Sequence, residues 1–282
     1  MIEKLIAGTE LRAVEYLARR VTHAQLKFEP GHRGDATWRL VRKGAGELWA
    51  FAACMRVGNL WGAWHHWRTM LELRANAHHL FGSEEREDHR LLQLASWRHA
   101  APWVSWQRTR LDFAKSDKGE AAKRAVYVRT YPNPPPSVNA TEDQIAEWAE
   151  LFGLGDTREK RLAQFKKAKA KAWHSPVPLQ DLIDALGPEV ALQYDLACQA
   201  SHFSPLGDGL VYPNESPSVL GWDPKQGIMC VQFMLRDSQA FLQRIGFPDD
   251  PVGIAALERA AAACDEIRDA DENFPNEQEY EV

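Results

Sequence analysis

The sequence predicts an all-α fold, a multi-helix bundle. Three observations carry that prediction. Apolar residues recur at three- and four-residue spacings along most of the chain. Runs of alternating apolar and polar residues, the mark of strands, are nearly absent. Proline and glycine cut the chain into pieces of helix length. The composition agrees, with 45% apolar and 26% charged residues among 282, enough for a sizeable core. Eleven tryptophans favour burial through their large apolar area.

Residues 1–24 read as a helix, with Leu11, Val14, Leu17 and Val21 on one face. Lys27–Asp35 reads as a loop around Pro30, Gly31 and Gly34. A long helical stretch follows from about Thr37 to Leu80, with a break expected near Gly44–Gly46, and Gly82-Ser83 ends it. Ser83 then looks like the N-cap of a helix whose first turn carries Glu84, Glu85 and Glu87. Pro102 should kink or split that helix. The four prolines of Tyr131–Val138 forbid helix and favour an extended connector. Thr141, with Glu142 and Asp143, opens a fresh helix, and another is expected over Thr157–His174. A short helix at Asp181–Ala185 should stop at Gly187, and Pro188 should start one that runs to about His202. The segment near 203–224 is rich in loop signals, with a short extended piece at Leu210–Tyr212. Helices near Lys225–Ile245 and Val252–Ala270 close the chain. The expected organisation is one helical domain over 1–270, with 131–138 as a connector and 271–282 as an acidic flexible tail.

Several classes are set aside. The N-terminal MIEKLIAGTELRAVEYLARR lacks the apolar core of a signal peptide. Leu48–Trp67 has the length of a membrane span, but Arg56 near its centre would cost ~2.5–3.5 kcal/mol on insertion scales. The four cysteines form no C-x-x-C, so free thiols in a cytoplasmic protein are expected. No H-E-x-x-H, Walker A or G-x-S-x-G motif occurs, and Glu29-x-x-His32 lies in a Pro-Gly loop unsuited to a di-iron bundle. The His65-His66 and His78-His79 pairs stand about 3.6 turns apart and do not share a face cleanly. No metal or other cofactor is therefore expected. The net charge of −5 asks any nucleic-acid role to rest on a local basic patch.

Four patterns carry candidate chemistry. Arg68-x-x-x-Glu72 puts a cation and an acid on one helical face, beside Trp67 and Leu71. The plain alternative is a solvated i,i+4 pair. Tyr194-x-x-x-Cys198-x-x-Ser201-His202 gathers polar groups on helical spacing, with His202 at the helix end as a candidate acid/base or a simple cap. Arg74-x-x-x-x-His79 fits the R-x4–6-H pattern of HEPN-type ribonucleases, a match that chance supplies readily in a chain of this composition. The segment 158–171 holds seven basic residues against Glu159, with Phe165 inside it and Trp173 after it. Arg158, Arg161, Lys166, Lys167, Lys169 and Lys171 are its candidate RNA contacts, against the alternative of a solvated helix face.

Taken together, the Arg68/Glu72 helix, the segment KAKAWHSPVPLQDLIDALG and Tyr194–His202 resemble a large family of bacterial helical proteins, a domain of unknown function. Its members carry an Arg-x-x-x-Glu helix and, later, Tyr-x-x-x-Ser with a His shortly after. Arg68, Glu72, Tyr194 and His202 match; Cys198 stands where Ser is usual. The resemblance spans about residues 45–245. Such proteins look distantly HEPN-like, which implies binding or cleavage of RNA in phage defence or a toxin system. In that chemistry His202 would be acid/base, Arg68 would clamp phosphate, Glu72 would orient Arg68, and a homodimer would be in keeping. The competing expectation is a non-catalytic helical module that takes a protein partner through the acidic tail.

Overall fold

A computed structural model of the chain describes residues 14, 18, 19, 31–57, 59–115, 129, 139–201 and 224–245. The helix expected over 1–24 (residues 14, 18 and 19 aside), the connector 131–138, His202, the loop-rich segment as far as 223, the helix at Val252–Ala270 and the acidic tail lie outside the described residues. Of the described residues 81% are helical, in eight helices with no strand among them, so the molecule is an all-α multi-helix bundle. The helices are α1 (His32–Arg56), α2 (Leu60–Phe81), α3 (Glu84–Lys115), α4 (Glu142–Leu151), α5 (Arg158–Lys166), α6 (Leu179–Asp184), α7 (Pro188–Ser201) and α8 (Pro224–Arg244). Among the described residues no helix is long and apolar enough to cross a membrane. The chain forms two compact units, one of residues 1–82 with 182–282, the other of residues 83–181.

In the first unit α2 is central, and α1, α7 and α8 all pack on it. Its buried side chains, among them Trp64, Trp67, Met70, Leu73 and Ala77, run round most of the cylinder. A helix apolar on most sides belongs inside a bundle. Trp64 and Trp67 meet edge to face at 5.1 Å, and Trp67 stacks on Phe233 of α8 at 5.0 Å.

Two expectations here need correction. The chain is already helical from His32, so the predicted loop does not extend to Asp35. Gly31, at φ 105°, turns the chain, and Asp35 then pairs with Arg39 one turn on at 2.8 Å. The helix also runs unbroken through Gly44–Gly46 and breaks after Arg56 instead, where Asn59 caps α2 by accepting from the Gly62 N–H at 3.0 Å. Gly44 marks a close approach: a Cβ there would lie 2.8 Å from the buried ring of Phe241 on α8.

The second unit packs α3, α4 and α5 around Phe152 and Phe165, both fully buried. Trp103 lies 5.3 Å from Phe165, and Trp97 meets Phe152 edge-on at 5.3 Å. Burying side chains of this size stabilises by about 1.5–3 kcal/mol each. Pro102 does not split α3, which is continuous through it. Thr141 opens α4 through a capping box, its Oγ1 accepting from the Gln144 N–H at 3.2 Å while Gln144 Oε1 accepts from the Thr141 N–H at 3.0 Å.

The helix expected to reach His174 ends at Lys166. Ala168 adopts φ 52°, its N–H reaches the Phe165 carbonyl at 2.8 Å, and the Lys169 N–H reaches that of Gln164 at 3.2 Å. This left-handed closure satisfies carbonyls of the last turn. The chain then folds back so that Ala170 and Ser175 are buried.

Candidate functional site

Arg68, Glu72 and Tyr194 come together where α7 crosses α2, within the first unit. The i,i+4 spacing brings Arg68 Nε within 3.3 Å of Glu72 Oε1. The Tyr194 hydroxyl donates to that same oxygen at 3.1 Å, and the Arg68 guanidinium stands 5.6 Å over the Tyr194 ring. Tyr194 is buried, whereas the side chains of Arg68 and Glu72 stay 23% and 28% exposed, so the acid and the guanidinium keep one edge in water.

Burial pushes the Tyr194 phenol well above its ordinary range, and the Arg68 contact only partly opposes it. The phenol therefore keeps its proton and acts as a donor. Burial raises the Cys198 thiol as well, against the pull of Arg68, so no thiolate is favoured at that position. Arg68 is disfavoured by burial, but its neighbours Tyr194, Cys198 and Glu72 more than offset this and leave it above its ordinary value. His202, the fourth residue of the predicted site, lies outside the described residues.

A second polar cluster occupies another side of α2, and sequence reasoning missed it. Asp237 of α8 is buried and accepts at both oxygens, from the Trp67 indole N–H at 2.7 Å and from Arg74 Nη1 at 2.6 Å. Burial raises its carboxyl, while Trp67 and Arg74 pull the other way. One turn past Arg74, His78 Nδ1 lies 2.9 Å from Arg244 Nη2. Arg74, read from the sequence together with His79, thus pairs with Asp237. A signal existed: Asp237 interrupts the apolar stripe formed by Val231, Met234, Leu235, Phe241 and Leu242, and an acid in that register needs a buried partner. On the side toward α1, His66 Nδ1 meets Glu47 Oε2 at 2.8 Å.

The basic segment 158–171 divides in two. Arg158 pairs with Asp143, Arg161 with Glu150 at 2.9 Å, and Lys166 with Glu142 at 2.9 Å, so these three predicted RNA contacts face the acids of α4. Lys166 holds the Glu142 carboxyl below its usual range. Lys167, at the end of α5, and Lys169 and Lys171, on the stretch after the Ala168 closure, are exposed instead. Ser175 Oγ fastens that stretch by accepting from the backbone N–H groups of Lys171 and Ala172 at 3.0 and 3.1 Å. The half-buried Trp173 completes it, edge-on to His174 at 5.6 Å.

No family model, curated protein or solved structure matches the chain. Among the described residues no group of three His, Cys, Asp or Glu side chains is arranged to hold a metal ion.

Proposed function

We propose that this protein binds single-stranded RNA through Lys167, Lys169 and Lys171, with Trp173 beside them. One observation carries the reading: in the basic segment these three lysines are exposed, whereas Arg158, Arg161 and Lys166 pair with acids. Exposed lysines at every second position of a non-helical stretch suit a phosphate backbone, and a neighbouring indole suits base stacking. The HEPN-like resemblance points to the same ligand, and bacterial defence or a toxin system is the setting it implies. The reading stops at binding. The Arg68–Glu72–Tyr194 cluster serves best as the fastening of α7 to α2, because its acid is engaged by both neighbours and its phenol stays protonated.

The test is fluorescence anisotropy with a labelled single strand of about 20 nucleotides, titrated from about 50 to 200 mM salt. Changing all three lysines to alanine should weaken binding about tenfold or more and flatten the log–log salt slope by about 2, near 0.7 per lost lysine. Unchanged affinity and slope in that variant would sink the proposal.

A second reading, a protein-binding module, has Trp38 and Trp49 in its favour. Both are exposed on α1, eleven residues and about three turns apart, and so share a face. A chain that ignores RNA at low salt but retains a host protein, and loses it when both tryptophans become alanine, would favour this reading.

A further inference from the structure

The RNA reading leaves the Arg74–Asp237 side of α2 without a role. There the first unit has a hollow of about 320 Å³, lined by Arg74, His78, Leu186, Ala240, Gln243 and Arg244. That volume lies at the lower end of the range for small-molecule pockets. Its two charged groups, Arg74 and Arg244, are donors only. Asp237 takes Nη1 of Arg74 at 2.6 Å, which orients the guanidinium and leaves it further N–H groups. Arginine has no acceptor, so at 2.9 Å from Arg244 the His78 Nδ1 must accept, which holds that guanidinium in the lining of the hollow. Gln243 adds an amide. Asp237 offsets one guanidinium, and the second leaves the hollow positive.

We propose that this hollow binds the phosphate group of a small phosphomonoester, with Arg74 and Arg244 on its oxygens and the organic body against Leu186 and Ala240. A carboxylate is satisfied by the two-pronged fork of a single guanidinium. Two guanidiniums from different helices match an oxyanion with three terminal oxygens. The site lies in the first unit and does not depend on the lysines of the second.

The experiment is thermal unfolding and calorimetric titration of the full chain. The probes are inorganic phosphate and adenosine 5′-monophosphate, against acetate and chloride at matched ionic strength. Either phosphate should give a saturable rise in melting temperature that acetate and chloride do not. Tighter binding of the nucleotide would identify an organic phosphate as the ligand; tighter binding of inorganic phosphate would identify the free ion. Arg244→Ala should raise the dissociation constant about tenfold or more, as expected for a lost charge-assisted hydrogen bond. Leu186→Trp, which narrows the hollow without touching a charge, should have a comparable effect and guards against a folding defect in the first variant. The proposal is overturned if neither phosphate gives a saturable shift, if acetate does equally well, or if both variants bind like the parent chain.

Discussion

One oxygen of Glu72 accepts from a phenol and forms an ion pair with a guanidinium, and this small arrangement holds a helix crossing. Tyr194→Phe removes one donor and keeps the ring beneath Arg68. It should destabilise the chain by about 0.5–1.5 kcal/mol, the net worth of an ordinary hydrogen bond, read from urea unfolding. An unchanged midpoint would mean that the hydroxyl contributes nothing to the crossing. Arg68, Glu72 and Tyr194 were legible in the sequence because helical spacing gives each a face, and the order of the motifs links the two helices. Asp237 was not: its Trp67 partner lies 170 residues away, and local spacing carries no trace of such a pairing. The split within the basic segment was equally hidden, since the acids that engage Arg158, Arg161 and Lys166 stand on a separate helix.

Two glycines of α1 separate by what stands opposite them. At Gly44 a methyl group would press on Phe241, whereas nothing lies within 4 Å of the Cβ position at Gly46. Gly46→Ala should therefore stabilise by about 0.5–1 kcal/mol through helix propensity alone. Gly44→Ala should destabilise by about 1–2 kcal/mol, because overpacking a buried ring exceeds that gain. Thermal melts of the two variants check the pair, and a shift of the same sign in both would refute the close approach. The sequence read both glycines as a break because local composition cannot tell a hinge from a contact. Ends marked by local chemistry, such as Ser83, Thr141, Gly187 and Pro188, were readable for the opposite reason. The end of α5 was not, since Ala168 occupies a position where glycine is usual, and alanine otherwise signals that a helix continues.

The chain divides into two compact units, and the second is one continuous stretch whose core comes from its own residues. Residues 83–181 expressed alone should give a helical circular dichroism spectrum and a single cooperative unfolding transition. A spectrum of random coil would show that this unit cannot stand by itself. The all-α class was legible along the described helices, because a period of 3.6 repeats in each long one. How the helices choose their neighbours was not, since apolar stripes fit one another in several ways. The buried acid on α8 has its consequence here. Ridges of side chains on a helix recur every three to four residues, so two apolar helices can slide by a turn and still interdigitate. Asp237 reaches donors two turns apart on α2, the indole of Trp67 and the guanidinium of Arg74. A slip would leave a carboxylate stranded in the core, a penalty that apolar contacts do not impose. One polar side chain thereby turns a sticky but degenerate seam into a keyed one, with a single permitted alignment.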